Sequence, residues 1–156
     1  MKNGSDKLAI NTELFKNRDI GKTLIRKFGS QSIVLSIQAK KVATKTWQAY
    51  MNFGRDKTDI DVIEWVKEMS QHNFGELLLT SIDADGLSSG FDVELYEIVC
   101  KHINIPIIAC GGFGNLNHIA DLKKFANVDA ISISKALHYK KINISEIKKF
   151  IKSIND

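Results

Sequence analysis

The sequence predicts an α/β fold built on a parallel sheet. Short apolar or β-branched segments alternate with amphipathic segments at intervals of roughly thirty residues, which is the length of a strand–helix unit. Residues 77–81 are apolar or small without a break, as in a strand that is covered on both faces. Repeated strand–helix units imply parallel strands joined by right-handed crossovers.

Size and composition are those of a single globular domain. The 156 residues are 44% apolar and 26% charged, and a chain of this length can bury a core. The formal charge of +4 is small, and most lysines fall on polar faces of predicted helices, so we expect no nucleic-acid binding. Cys100 and Cys110 form no CxxC motif, and the sequence shows no signal-like leader or long apolar run. We therefore expect a reduced, cytoplasmic protein outside the membrane.

The first half of the chain predicts two strand–helix units with a hairpin between them. Gly29 ends the first helix, and the β-branched residues after it predict a strand. Trp47, Tyr50 and Gly54 lie in a segment without helical period, which predicts a small hairpin folded over a strand end. Residues 58–61 resemble a capping signal for the second helix. The predicted elements are a strand at 7–11, a helix at 12–28, a strand at 32–38, the hairpin within 39–56 and a helix at 58–72.

The second half repeats the strand–helix pattern. Asp92 can cap one helix, and Asn143 with Glu146 can cap another. Pro106 stands at the start of a strand, where a missing N–H is tolerated. The predicted elements are a strand at 77–81, a helix at 92–104, a strand at 105–110, a helix ending at 125, a strand at 128–134 and a closing amphipathic helix from 143.

Polar residues and glycines follow several of the predicted strands. Because the carboxyl ends of parallel strands open on one edge, we expect these residues to converge there. Gly111 and Gly112, between a strand and a helix, can bring backbone N–H groups close to an anion. Asp85 could act as an acid or base beside it, although an Asp-Gly turn explains Asp85 and Gly86 equally well. The converging residues are Asn11, Thr12, Gln38, Ser81, Asp83, Asp85, Gly86, Gly111, Gly112, Ser134 and Lys135.

The remaining polar residues indicate structural roles. Lys7 and Glu76 lie near the N-terminal ends of their strands, where a structural salt bridge is the simplest expectation. The histidines are scattered without the spacing of metal ligands, so we expect neither a metal nor another cofactor. They are His72, His102, His118 and His138.

Five ordered blocks of the sequence resemble the cyclase subunit of imidazole glycerol phosphate synthase. The resemblance implies a TIM-type (β/α)8 barrel, of which residues 1–156 would be one domain, the C-terminal half with strands five to eight and part of the fourth. It implies a lyase of histidine biosynthesis that takes ammonia from a glutaminase subunit. Its substrate would be a doubly phosphorylated ribulosyl intermediate, and its products imidazole glycerol phosphate and an aminoimidazole carboxamide ribotide. The blocks are residues 4–12, 28–31, 75–86, 89–92 and 106–114.

The resemblance also implies roles for individual residues. Asn11 and Thr12 would contribute to one phosphate site. Lys7 and Glu76 would belong to the charged gate through which ammonia enters the barrel, and the side of Asp6 would face the glutaminase. The second phosphate site would comprise Asp85, Gly86, Gly111, Gly112, Ser134 and Lys135.

The chain departs from the family pattern in three ways. Gln38 stands where the family has a catalytic aspartate, and an amide cannot accept a proton as a general base. The other catalytic aspartate of the family belongs to the first barrel strand, for which this chain has no equivalent. Lys135 stands where the family usually has a small hydroxyl residue, and it could still pair with phosphate. The catalytic positions in this chain are therefore Gln38 and Asp85.

Several functions and partners remain open. Half a barrel has unpaired strand edges and an uncovered inner face, so we expect it to bind an N-terminal half, to self-associate, or to fold poorly alone as a truncated frame. One function is the cyclase itself. A second is a divergent paralogue that channels ammonia to another enzyme, for example in surface-polysaccharide amidation; Gln38 favours it, because a channel depends more on Lys7 and Glu76 than on an acid/base pair. A third is a phosphate-ligand binding module without turnover.

Overall fold

The computed structural model describes residues 4–155, in which strands and helices alternate. The strands are β1 (Leu8–Ile10), β2 (Ile33–Ala43), β3 (Thr46–Met51), β4 (Asp56–Asp61), β5 (Glu76–Ser81), β6 (Ile107–Cys110) and β7 (Ala130–Ser132). The helices are α1 (Thr12–Lys16), α2 (Asp19–Phe28), α3 (Val62–Ser70), α4 (Val93–Cys100), α5 (Asn117–Phe125), α6 (Lys135–His138) and α7 (Ile144–Ser153).

One seven-stranded sheet organises the molecule, in the order β4-β3-β2-β5-β6-β7 with β1 also beside β2. The pairs β1–β2, β2–β5, β5–β6 and β6–β7 are parallel. β2 pairs along its first half with β1, where Leu8 lies opposite Ile33, and along its second half with antiparallel β3, where Gln38 lies opposite Tyr50. The parallel strands and their helices form part of a (β/α) barrel, which confirms the predicted fold class.

The helices pack on one face of the sheet. Leu77, Leu79 and Ser81 of β5 point to that face and are fully buried, whereas Leu78 and Thr80 between them are half-buried. The prediction that residues 77–81 are covered on both faces is therefore wrong, because the second face lines the interior of the partial barrel. We call this second face the bore face; its half-buried residues include Ser36, Gln38, Leu78, Thr80, Ile108 and Cys110.

The predicted helix at 12–28 is two helices. Asn17 between them has extended backbone (φ −142°, ψ 99°), and its side-chain oxygen accepts a hydrogen bond from the Asp19 amide at 3.0 Å. An asparagine side chain offers the backbone this alternative to helical hydrogen bonding. The predicted end at Gly29 is confirmed, and the glycine adopts φ 86° there.

The segment after β2 is more regular than predicted. β2 continues to Ala43, and β3 and β4 follow as an antiparallel extension of the sheet. The capping signal predicted at 58–61 is confirmed only for Asp61, whose carboxylate caps α3 by accepting a hydrogen bond from the Ile63 amide at 2.8 Å. Thr58 instead lies in β4, where its hydroxyl donates to the Ala49 carbonyl at 2.6 Å. The helix then ends at Ser70, before the predicted His72.

The later elements are shorter than predicted. α4 ends at Cys100 and not near Asn104, because the predicted pattern counted His102, whose amide donates to the Val99 carbonyl at 2.9 Å in a turn beyond the helix. β6 begins at Ile107, and β7 spans only Ala130–Ser132. The four-residue helix α6 was not predicted, since it is too short to show a period. The capping box of Asn143 and Glu146 at the start of α7 is confirmed.

Candidate functional site

The predicted site residues lie in two groups at the carboxyl ends of the parallel strands. Asn11, Thr12 and Gln38 lie beside β1 and β2. Three strand spacings, about 14 Å, separate β1 from β6 along the sheet. The second group lines one cavity beyond β5, β6 and β7 and comprises Asp85, Gly86, Gly111, Gly112, Ser134 and Lys135.

A lysine side chain lies across the cavity of the second group. The Lys135 ammonium donates a hydrogen bond to the carbonyl oxygen of Gly86. The cavity is small, about 30 Å³, and in this arrangement it suits a water molecule better than an anion with four oxygens. The Lys135 side chain is exposed, so it could move aside and leave its ammonium available to an anion.

Glycine is needed at two cavity positions for space and for backbone conformation. Gly111 and Gly112 have φ of 91° and 102°, values that side-chain-bearing residues rarely adopt. A Cβ on Gly111 would lie 2.7 Å from the Ser81 carbonyl oxygen, and one on Gly112 would lie 1.9 Å from the Gly90 carbonyl oxygen. The loops after β5 and β6 therefore touch through their backbones. The predicted approach of the Gly111 and Gly112 amides to an anion stays a prediction.

The two aspartates after β5 have different surroundings. The Asp83 carboxylate accepts the Lys41 amide at 2.7 Å, so Asp83 fastens the loop to the end of β2. Asp85 is exposed at the cavity, and its backbone amide donates to the Ser81 carbonyl at 3.0 Å. Of the two carboxylates, Asp85 is the one that a ligand in the cavity could contact.

Asn11 and Thr12 connect β1 to the hairpin. The Asn11 amide donates to the carbonyl oxygens of Ser36 at 3.0 Å and Tyr50 at 3.2 Å. The Thr12 hydroxyl donates to the Asn11 side-chain oxygen at 3.2 Å and accepts the Asn52 amide at 2.8 Å. Both predicted phosphate ligands therefore also hold the hairpin over the strand ends, a role that the sequence did not indicate.

Gln38 lies on the bore face in the middle of β2, opposite Thr80 near the end of β5 and close to the turn between β3 and β4. Its side-chain oxygen Oε1 is buried and has no hydrogen-bond partner among residues 4–155. A Cβ on Gly54 of that turn would lie 3.9 Å from this oxygen and 3.2 Å from Ile82. Gln38 therefore presents an unsatisfied acceptor inside the predicted catalytic end of the barrel, a costly arrangement in a folded protein.

Asp92 and Tyr96 form buried hydrogen bonds behind the site. The sequence predicted only the Asp92 helix cap among them. Asp92 caps α4 through the Leu95 amide at 3.3 Å and also accepts the Trp47 indole N–H at 2.8 Å. The fully buried Tyr96 hydroxyl lies 3.0 Å from the Leu79 carbonyl and 2.8 Å from the Cys110 carbonyl, and it accepts the Cys110 amide at 3.0 Å. Burial raises the pKa of the Tyr96 phenol well above its ordinary value, so the hydroxyl keeps its proton.

The charged pair predicted at the opposite end of the strands is present. Lys7 and Glu76 form a salt bridge across the start of β2, where Val34 lies between Ala9 and Glu76 in the strand pairing. Both side chains are partly exposed, so the pair contributes little to stability. It marks the end of the bore face away from the glycine cavity.

The described chain contains no obvious site for a metal. No group of three or more His, Cys, Asp and Glu side chains within residues 4–155 could hold one. His118 has a local partner, since its Nδ1 accepts the Gly114 amide at 3.1 Å. In the same residues, no helix is long and apolar enough to cross a membrane.

Fold and site together define the class: a partial (β/α) barrel with a glycine-lined cavity at its strand ends. The family model described as "Histidine biosynthesis protein" matches residues 1–143. The chain belongs to this family.

The chain is similar to curated proteins named "Imidazole glycerol phosphate synthase subunit HisF". It is 42% identical to the one from Hydrogenobaculum sp. (strain Y04AAS1) over 152 residues, which cover 97% of this chain and 60% of that relative. It is 40% identical to the Bacillus cereus (strain G9842) protein over the same shares. It is 41% identical to the Prochlorococcus marinus (strain MIT 9312) protein over 95% of this chain and 59% of the relative. The chain thus spans about 60% of the length of these relatives.

Proposed function

We propose that residues 1–156 are the C-terminal half of an imidazole glycerol phosphate synthase cyclase of the cytoplasm. With an N-terminal half-barrel, it would use ammonia from a glutaminase subunit to convert the ribulosyl intermediate to imidazole glycerol phosphate. The similarity to HisF subunits over 97% of the chain carries this proposal.

The spacing of the two strand-end groups supports a substrate with a phosphate at each end. One phosphate would bind at Asn11 and Thr12, and the other at Gly111 and Gly112 with Lys135. About 14 Å between the strands that carry them suits an extended ligand that lies across the barrel mouth. Backbone N–H groups of a glycine-rich loop bind phosphate without a dedicated side chain.

The arrangement of the bore face supports ammonia delivery from the opposite end. Lys7 and Glu76 lie at the amino end of the strands, and Gln38 lies on the same face beside Thr80, near the carboxyl end of β5. A small neutral molecule that enters beside the salt bridge would pass along half-buried side chains to the site. The glutaminase would dock at the Lys7 end.

Asp85 and Gln38 would have different roles in the reaction. Asp85, exposed at the glycine cavity, can exchange protons with a substrate. Gln38 can orient a substrate by hydrogen bonds but cannot act as a general base. The proton transfers that an aspartate would carry out at position 38 are therefore lost in this chain.

The experiment is steady-state turnover of the ribulosyl intermediate with ammonium salts as nitrogen donor. The chain is assayed alone and with a conventional N-terminal half-barrel added. We expect turnover only in the mixture, because residues 1–156 hold no equivalent of the family's first-strand aspartate. No turnover in the mixture, with inorganic phosphate still bound, would exclude cyclase activity.

The second candidate is a divergent paralogue that channels ammonia to another enzyme, and Gln38 favours it. A channel needs the Lys7–Glu76 end and an open bore face, and it does not need an acid/base residue at position 38. The variant Gln38→Asp separates the two functions. An impaired cyclase gains at least roughly tenfold in turnover when the carboxylate is restored, with Gln38→Asn as the matched amide control. A channel protein gains nothing from either change.

A further inference from the structure

His118 lies in the first turn of α5, beside the two loops that line the glycine cavity. These loops are residues 82–92 after β5 and residues 111–116 after β6. The Gly90 amide donates a hydrogen bond to the Gly112 carbonyl at 2.8 Å, so the two loops are joined directly. A side chain that holds one of them in place therefore also affects the position of the other.

The His118 ring contacts both loops. Its Nδ1 accepts a hydrogen bond from the Gly114 amide at 3.1 Å. A Cβ placed on Gly90 would lie 3.8 Å from ring atom Cδ2. One placed on Gly114 would lie 3.1 Å from Cε1 and 2.1 Å from the Ser88 carbonyl oxygen. The imidazole therefore packs directly on the backbone of both loops.

The hydrogen bond to Gly114 requires a neutral imidazole. A backbone amide can only donate, so Nδ1 carries no hydrogen and the ring hydrogen is on Nε2, which lies 3.1 Å from the Asn115 side-chain amide. Imidazolium has two N–H donors and no acceptor. Protonation of His118 would therefore direct an N–H group at the Gly114 amide and leave that amide without its acceptor.

No charged side chain of the described chain forms a hydrogen bond or an ion pair with His118. The loop after β6 contains no ionisable residue. In the other loop Asp92 accepts the Trp47 indole N–H, and on α4 Glu94 pairs with Lys41. A protonated ring would thus gain no ion pair in this arrangement to offset the lost hydrogen bond. The nearest ionisable residues along the surrounding segments are Asp83, Asp85, Asp92, Glu94 and Asp121.

We propose that His118 is a positioning residue that holds the glycine loop of the anion site. The neutral imidazole fixes the Gly114 amide, and through it the loop that carries Gly111 and Gly112. When the ring is protonated, this loop loses its attachment to α5, and its backbone N–H groups no longer keep the arrangement that binds an anion. Anion affinity therefore falls as the pH falls, although the chain becomes more positive. The inference rests on the proposed function for the anion site itself.

Sulfate binding to the full chain is the first test. Sulfate keeps its charge across the range in which histidine gains a proton, from about pH 8 to about pH 5, whereas phosphate changes its charge there. Binding is measured by calorimetry at constant ionic strength. We expect the affinity of the parent chain to fall roughly three- to tenfold with the pH, which corresponds to the loss of one ordinary hydrogen bond.

Three variants show whether the pH dependence comes from His118. His118→Asn places an amide oxygen near the position of Nδ1, where it can accept the Gly114 amide without changing charge, so we expect parent-like affinity at high pH and no fall. His118→Phe keeps a ring without an acceptor and should bind weakly at every pH. His102→Asn removes an exposed histidine elsewhere and should behave like the parent chain.

Two results of these titrations would overturn the inference. One is a fall in affinity that persists in His118→Asn, because the titrating group would then lie elsewhere. The other is an affinity that rises as the pH falls in the parent chain but not in His118→Phe, because the ring would then act on the anion through its charge.

The NMR signal of the Gly114 amide separates this inference from the proposed function. It is recorded across the same pH range without any anion, and we expect it to shift with pH in the parent chain and to stay constant in His118→Asn. A shifting signal with no binding of sulfate or inorganic phosphate at any pH supports His118 as the residue that holds the loop and rejects the proposed phosphate site. Anion binding with a constant Gly114 signal supports that site and rejects the role of His118.

Discussion

At position 112 the backbone of the neighbouring loop leaves no room for a side chain. We expect Gly112→Ala to lower the free energy of unfolding by about 3 kcal/mol or more, because the new methyl group would meet the Gly90 carbonyl in addition to straining a positive φ. Gly86→Ala is the matched control, since Gly86 also has positive φ (74°) but nothing lies within 4 Å of the added Cβ. It should cost about 1–2 kcal/mol. Urea unfolding measures both, and equal costs would show that space at position 112 is not limiting.

The sequence identified these glycines but could not show what surrounds them. The Gly-Gly pair predicts backbone N–H groups near an anion, and it did not show that these glycines also let the loops after β5 and β6 approach each other. The sequence predicts Lys135 beside an anion, which stays a prediction, and it did not show that the Lys135 ammonium donates to the Gly86 carbonyl. Asn11 and Thr12 were expected only as ligands, yet they also hold the hairpin. Such bonds join segments far apart in the chain, so no local pattern predicts them.

Asp92 joins two elements, because it caps α4 and receives the indole N–H of Trp47 from β3. We expect Asp92→Ala to lower the free energy of unfolding by about 2–4 kcal/mol, since it removes a helix cap and a hydrogen bond to a carboxylate. Asp92→Asn keeps the volume and one acceptor oxygen, and should cost roughly half as much. Thermal unfolding followed by circular dichroism measures both. A cost below that of an ordinary exposed substitution would show that the hairpin and α4 are independent.

Strands and helices with a clear pattern of apolar residues were predicted well. Elements that depend on single polar side chains were not. The strands at 33–38, 77–81 and 107–110 have runs of apolar or β-branched residues that only a buried strand explains. The break at Asn17 and the strand β4 depend on single polar side chains that act locally: an Asn-to-amide bond in one case, and the Thr58 hydroxyl in the other. Both resemble helix-start signals in sequence, and only the tertiary contacts decide between the alternatives.

The bore face governs the behaviour of the whole molecule. It carries half-buried apolar residues such as Leu78 and Ile108, and within residues 4–155 one edge each of β1 and β7 pairs with no other strand. Open edges and an uncovered face favour association. We expect sedimentation velocity to show oligomers of the isolated chain at micromolar concentration, replaced by a defined complex when the N-terminal half is added.

A matched pair of variants tests which surface drives this association. Ile108→Gln places an amide on the bore face and should shift the chain toward monomer. Ile144→Gln alters an equally apolar residue that is 55% exposed on α7, and should leave the distribution unchanged. A parent chain that sediments as a single monomer would contradict the prediction, as would equal effects of the two substitutions.

The Tyr96 hydroxyl joins β5 to β6 from beneath the sheet, because it contacts the Leu79 and Cys110 carbonyl oxygens. The loops that contain Asp85 and Gly111 follow these two strands, so we expect them to move together. The Cys110 amide donates to a side chain that water cannot reach. Its deuterium uptake therefore requires the separation of two core strands and should be among the slowest in the chain. When a ligand binds at the cavity, we expect the exposed Lys135 side chain to move and this pair of loops to stay fixed.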